Sequence, residues 1–270
     1  MSRTYRQLLV LVAIFISAWF AFSYISQSYF ADKETKTIIS LESEEKLASA
    51  IHSIILSEFD TINSPAANIV LDSILLRLQK GIDSARYTYN FTIIDNEQLN
   101  AFATLGGRIY IFKGLIEHSD NAEMLASVLA HEIGHIEHHD FENRLAKNIA
   151  ISTVIAVATG GNETLISELS KSVLGSSYDR QQEAHADKFA MQLLEKVNID
   201  PSALGVFFIK IKRLDNSNLD LEYFQSHPNT DSRIEKVANY RVDDDFNEIK
   251  FDSLQWNALA DWVKNDVIFQ

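Results

Sequence analysis

The spacing of apolar residues predicts a chain that is mainly helical. Residues 38–60 and 66–80 carry apolar side chains three and four positions apart, which gives an α-helix one buried face. Pro201 suits the first turn of a later helix, with Asp200 before it as the cap. The later helices are expected over Asp179–Val197, residues 201–214 and Thr230–Tyr240.

Strand patterns are confined to one region ahead of these later helices. Residues 87–94 alternate between apolar and polar positions, as a half-buried strand does. Residues 99–104 and 108–113 form a second extended pair around Gly106–Gly107, a dipeptide typical of a hairpin turn. We therefore expect an α+β fold that is mainly helical and contains a small β-sheet.

The next helix is expected to begin near Ser119 or Asp120. Asp120 followed by Glu123 matches a capping box, in which each side chain accepts a hydrogen bond from the other residue's backbone amide. Its apolar stripe comprises Ala122, Leu125, Val128, Leu129 and Ile133.

This helix carries the string His131–Glu132–Ile133–Gly134–His135. Residues four apart lie on one helix face, so His131 and His135 can bind one metal ion. Glu132 is rotated by about 100° and can reach a water molecule on that ion. The alternative, two histidines on a solvated face, is disfavoured because the helix is also apolar on one side.

Catalytic zinc needs three protein ligands and an open fourth position. Glu183 is the candidate third ligand, and Asp187 lies on the same helix face, where it can hydrogen-bond a ligand histidine. An exposed helix carboxylate is the alternative for Glu183. Small residues would let the two helices approach closely: Ala184, Ala186 and Ala190. The expected cofactor is one Zn²⁺ per chain.

Composition narrows the chemistry. The 270-residue chain has no cysteine, which excludes disulfides, thiolate zinc sites and cysteine nucleophiles. Its formal net charge of −13 repels phosphate backbones, so a nucleic-acid partner is not expected. No change in composition marks an internal domain boundary.

The N-terminal segment predicts export. Arg3 and Arg6 precede an apolar run over residues 8–25, at the short end of what a membrane span requires. Residues 1–31 are therefore an export signal or an N-terminal membrane anchor. Either places the remaining domain, residues 32–270, outside the cytoplasm, in the periplasm or tethered to the inner membrane.

Further motifs extend beyond the paired histidines: Asn100–Ala103, Gly107–Tyr110, Tyr178–Asp187, Ser226–Pro228 and Arg233–Ile234. In order and spacing over about residues 60–240, the chain resembles the zinc endopeptidases that include the CAAX prenyl endopeptidase, the HtpX heat-shock protease and exported bacterial quality-control proteases. The resemblance implies a zincin-like, minimal gluzincin fold whose small sheet packs on the active-site helix. It also implies Glu183 as third ligand and Asp187 as partner acid. The chain has no further membrane segments and so looks like the soluble, exported branch.

The expected function is zinc-dependent endopeptidase activity on unfolded or misassembled cell-envelope proteins. Glu132 would act as general base toward a zinc-activated water. His227 would hold the oxyanion or cap an empty metal position, or else serve only as a structural turn. Arg233 is a substrate-binding cation or, as we favour, an anchor for neighbouring carboxylates. An edge strand at Asn100–Thr104 would align an extended polypeptide.

Two rival functions and one structural question remain open from the sequence. A non-catalytic zinc-binding envelope chaperone is disfavoured because metal binding alone does not need Glu132. Hydrolysis of another bond, such as a cell-wall amide, is the second rival. The apolar segment between the ligand helices, Leu145–Ser177, is either a lid over the cleft or a static helical hairpin.

Overall fold

A computed structural model of the protein describes residues 41–148, 177–215, 223, 226–228 and 230–266. The predicted export signal or anchor, residues 1–31, lies outside the described residues, as do residues 149–176 of the possible lid. Across the described ranges, no helix combines the length and apolar character that crossing a bilayer demands.

The described part of the chain is mainly helical, and its few strands lie in the first half, as the apolar pattern predicted. The helices are α1 Leu41–Glu58, α2 Pro65–Lys80, α3 Lys113–His118, α4 Ala122–Glu137, α5 Asp140–Asn148, α6 Arg180–Lys196, α7 Ser202–Asp215, α8 Thr230–Ala238 and α9 Ser253–Asp266. The strands are β1 Thr61–Ile62, β2 Asn90–Ile94, β3 Ala101–Ala103 and β4 Arg108–Phe112.

The strands form one mixed sheet in the order β1-β2-β4-β3. Strands β2 and β4 are parallel, whereas β3 and β4 form an antiparallel hairpin with Phe102 opposite Tyr110. Gly106 and Gly107, with φ of 71° and 73°, make the connection, a conformation that favours glycine. The predicted hairpin is thus confirmed, and β3 lies at the sheet edge. Its Ala101 and Ala103 are buried in the core that surrounds α4.

Helix α4 is the centre of the core. Every residue from Ala122 to Ile136 is buried, because α2, α6, α7 and β3 all pack against it. The small sheet therefore packs on the helix that bears the paired histidines, and the predicted zincin-like, mainly helical α+β class is confirmed.

Helix α4 begins close to the predicted start, but the predicted capping box of Asp120 and Glu123 is wrong. Its N-cap is Asn121, whose side chain accepts a hydrogen bond from the Met124 amide at 2.8 Å. Asp120 instead pairs with Lys210 at the surface. Glu123 accepts a hydrogen bond from the Phe251 amide at 2.9 Å. The Glu123 carboxylate, which local spacing assigned to a capping box, is thus hydrogen-bonded to a residue far away in the sequence.

Helix α6 begins as predicted. Asp179 is its N-cap and forms a capping box with Gln182. The helix then packs against α4 through small residues, and Ala186 and Ala190 are fully buried. A Cβ atom added to Gly134 of α4 would lie 3.0 Å from both the Cα and the carbonyl oxygen of Ala186. The two helices therefore approach backbone to backbone, as the small residues predicted.

Helix α9 had no counterpart in the sequence-based prediction. It packs against α2 and α3. Its buried residues, Trp256, Leu259 and Val263, do follow helical spacing, but polar and charged residues separate them and weaken the pattern.

Replacing Gly134 with alanine tests the close approach of α4 and α6. Alanine favours a helix over glycine by about 1 kcal/mol, whereas overpacking against backbone costs about 1–3 kcal/mol. We expect Gly134→Ala to lose about 1 kcal/mol of unfolding free energy, measured by urea denaturation of the metal-free protein. A variant more stable than the wild type would show that the helices have room to separate.

Candidate metal centre

Helices α4 and α6 bring three predicted ligands together. His131 and His135 project from the same face of α4, with their Nε2 atoms 3.1 Å apart. Glu183, in the first turn of α6, places Oε1 3.5 Å from His135 Nε2 and Oε2 3.6 Å from His131 Nε2. All three side chains are buried. Two imidazoles and a carboxylate thus converge on one point inside the protein.

His227 joins this cluster as a fourth group. Its Nδ1 lies 2.9 Å from Glu183 Oε1 and 3.3 Å from His131 Nε2. One potential ligand atom from each of the four residues lies within 4.8 Å of all the others. The Tyr223 ring stacks on the imidazole of His227, with centroids 4.6 Å apart. The sequence left the role of His227 open, and the structure places its imidazole within the cluster of candidate metal ligands.

Glu132 lies beside the cluster and is fully buried. His227 Nε2 is 3.5 Å from its Oε1 atom. Burial raises the pKa of Glu132 above its usual range, while the charges of His227 and His135 act against that rise. A basic carboxylate next to a metal-binding point suits proton abstraction.

Asp140 orients His135, a contact that the sequence did not predict. His139 has a φ of 55°, so the chain reverses after α4 and Asp140 turns back toward the helix. Asp140 Oδ2 then lies 2.8 Å from His135 Nδ1. On the other side, the Tyr178 ring stacks on His135 with centroids 3.7 Å apart and planes inclined by 9°. Both contacts fix the ring so that Nε2 faces the cluster.

Asp187 and Arg233 support the other ligands. Asp187 Oδ1 lies 3.1 Å from His131 Nδ1, the position of an orienting carboxylate. Arg233 donates to both oxygens of Asp187, at 2.7 and 2.8 Å, and its Nη1 lies 2.5 Å from Glu183 Oε2. These contacts agree with the anchoring role that the sequence favoured for Arg233.

The charges around the cluster favour a bound cation. Burial lowers the pKa of His131 to about 3. Burial also acts to lower the pKa of His135, but hydrogen bonds to Asp140 and Glu183 outweigh it and raise that pKa to about 9. The carboxylates packed against His135 thus favour a positive charge at this point.

The donor set also fits a metal ion. Both oxygens of Glu132 and the Nε2 atom of His227 are buried without a hydrogen-bond partner among the described residues. Buried polar atoms are rarely left in this state, and a metal ion with its solvent would satisfy them. Nitrogen and carboxylate oxygen are the ligand atoms expected in a chain without cysteine.

The mainly helical α+β fold and the buried cluster of histidine and glutamate side chains are typical of the zincin class of metallopeptidases. The model of peptidase family M48 matches residues 65–241, about two thirds of the sequence. The chain therefore belongs to peptidase family M48, and the family resemblance drawn from its motifs is confirmed.

Individual relatives agree with this membership. The chain is 29% identical over 194 residues to the beta-barrel assembly-enhancing protease of Escherichia coli O157:H7, covering 66% of this chain and 39% of that protein. It is 23% identical over 211 residues to the mitochondrial metalloendopeptidase OMA1 of Schizosaccharomyces pombe, covering 75% and 62%. It is 26% identical over 157 residues to the metalloprotease LoiP of Escherichia coli K12, covering 56% and 62%. The chain thus matches about two fifths of the length of the assembly-enhancing protease.

Removing the guanidinium of Arg233 tests its role as an anchor. Arg233→Ala would leave the Glu183 and Asp187 carboxylates buried without their partner, which costs about 3–5 kcal/mol. Urea denaturation of the metal-free protein measures this loss. Arg241→Ala, at an exposed position, serves as the control and should change stability by no more than about 0.5 kcal/mol. Equal stabilities of the two variants would contradict the anchoring role.

Proposed function

We propose that the protein is a zinc-dependent metalloendopeptidase that cleaves unfolded or misassembled polypeptides of the cell envelope. The observation that carries this proposal is the buried convergence of His131, His135 and Glu183 next to Glu132. Family membership and the metalloprotease names of the relatives support it. The name of the beta-barrel assembly-enhancing protease supports envelope proteins as the substrate class.

His131, His135 and Glu183 would hold one zinc ion per chain. A carboxylate with two imidazoles is a ligand set of catalytic zinc, which keeps one position open. Zinc lowers the pKa of a bound water toward about 7 and polarises a carbonyl group. Asp140 and Asp187 keep the ligand imidazoles oriented through their Nδ1 atoms.

Glu132 acts as the general base. Its side chain is enclosed by the core and adjoins the backbone of Ala103, so it is held close to where a substrate carbonyl would lie. Asp187 orients His131. It does not serve as a proton donor, because both of its oxygens accept hydrogen bonds from Arg233. His227 either holds the oxyanion or fills the fourth position of the metal before substrate arrives.

Strand β3 aligns the substrate. Among the described strands it lies at the edge of the sheet, the position at which an extended peptide can add as a further strand. The flanking Asn100 has a buried Oδ1 atom without a partner among the described residues, at one end of this strand. Recognition through backbone hydrogen bonds depends little on side chains, which suits unfolded polypeptides.

The protein works outside the cytoplasm. Residues 1–31 act as an export signal or as an anchor in the inner membrane through residues 8–25, and residues 32–270 form the metallopeptidase domain in the periplasm. The apolar run and its basic flank support this placement.

Metal analysis tests the cofactor. The purified full chain, loaded with Zn²⁺ and freed of excess, should contain one zinc ion per chain, because the cluster supplies one complete ligand set. A variant with both His131→Ala and His135→Ala is the matched control and should contain none. A wild-type stoichiometry near zero would refute the proposed cofactor.

Two substitutions separate the base from the ligand. Glu132→Gln should retain zinc and lose at least about 10²-fold in casein hydrolysis, since the proton acceptor is gone. Glu183→Ala should lose both zinc and activity. Full turnover by zinc-loaded Glu132→Gln would show that the base is elsewhere. Parallel assays on peptidoglycan distinguish peptide bonds from cell-wall amides.

A further inference from the structure

One side chain connects the start of α6, next to the candidate ligand Glu183, to the first residue of α5, Asp140. Gln182 is the third residue of α6, directly before Glu183. Its Nε2 donates a hydrogen bond to Asp140 Oδ1 at 3.0 Å, and its Oε1 accepts one from the Asp179 amide at 3.0 Å. The amide group therefore links the start of α6 to the start of α5.

The connection continues to a candidate metal ligand. The other oxygen of Asp140 lies 2.8 Å from Nδ1 of His135, and Asp140 is buried. A continuous path thus runs from the N-cap of α6 through Gln182 and Asp140 to His135. The same N-cap sets where α6 begins, and so where the backbone places Glu183.

We propose that Gln182 is a positioning residue that fixes the geometry between His135 and Glu183. The inference rests on the proposed function, because positioning matters for a metal ion held by these two residues. Gln182 contacts neither ligand atom of the cluster and acts through Asp140 and the N-cap. Loss of such outer contacts typically lowers metal affinity by about 10–100-fold.

A side-chain amide is needed at position 182 because one of its atoms must donate a hydrogen bond and the other must accept one. Asp140 needs a donor, whereas the Asp179 amide needs an acceptor. A glutamate at position 182 would still accept from the Asp179 amide, as in an ordinary capping box, and its charge would favour a helix N-terminus. The same glutamate would place a second carboxylate against Asp140. Gln182→Glu therefore preserves the cap and breaks the link to His135.

The experiment measures Zn²⁺ affinity of the full chain by competition with a chromophoric chelator. Gln182→Glu should bind zinc about 10–100-fold more weakly than the wild type, and Gln182→Ala should fall between the two. Gln181→Glu makes the same charge change at the adjacent, exposed position and should bind within about 2-fold of the wild type.

The order of the variants decides the role of Gln182. A capping role alone predicts that Gln182→Glu matches the wild type and that Gln182→Ala is the weaker variant; that order overturns the proposal. In an Asp140→Ala background, Gln182→Glu should cause no further loss, since the path is already cut. An undiminished loss there would also overturn it. Wild-type protein that binds no zinc would refute the proposed function itself, whereas zinc binding equal in the wild type and Gln182→Glu refutes this inference alone.

Discussion

The geometry of the candidate metal site depends on how closely α4 and α6 approach each other. His131 and His135 lie on one helix and Glu183 on the other, so the interhelical distance sets the distances within the cluster. Gly134 and Ala186 meet at the contact, where no additional carbon atom fits without displacing backbone. Because protein interiors are close-packed, a displacement at this contact would move the candidate ligands themselves.

Such an arrangement carries an electrostatic cost. Glu132, Glu183, Asp187 and Asp140 are all buried within one small region. Charged groups are stable there only when they are paired or bound to a cation. Arg233 pairs with two of these carboxylates, Glu183 and Asp187, and Asp140 lies 2.8 Å from His135 Nδ1. A cation bound among the candidate ligand atoms would balance negative charge that remains in this region.

The same packing places the candidate metal site next to the β-sheet. Ala101 and Ala103 of the edge strand β3 are buried in the core around α4, and the Ala103 backbone adjoins Glu132. A peptide paired with this strand would lie beside Glu132, the proposed general base. The hairpin that contains β3 turns at two glycines with positive φ, so a local backbone requirement determines which strand packs against α4.

The sequence by itself determined the features that depend on local geometry. The helical period places His131 and His135 on one face, the glycine pair specifies the hairpin, and Asp179 with Gln182 starts the helix of Glu183. Tertiary structure decided the rest, because spacing along the chain does not encode distances between remote segments. In the folded protein Glu123 accepts a hydrogen bond from the Phe251 amide instead of forming the expected capping box. It also turned Asp140 back onto His135, paired Arg233 with two carboxylates and brought His227 to the same point as the ligands, contacts that only the packed core can set.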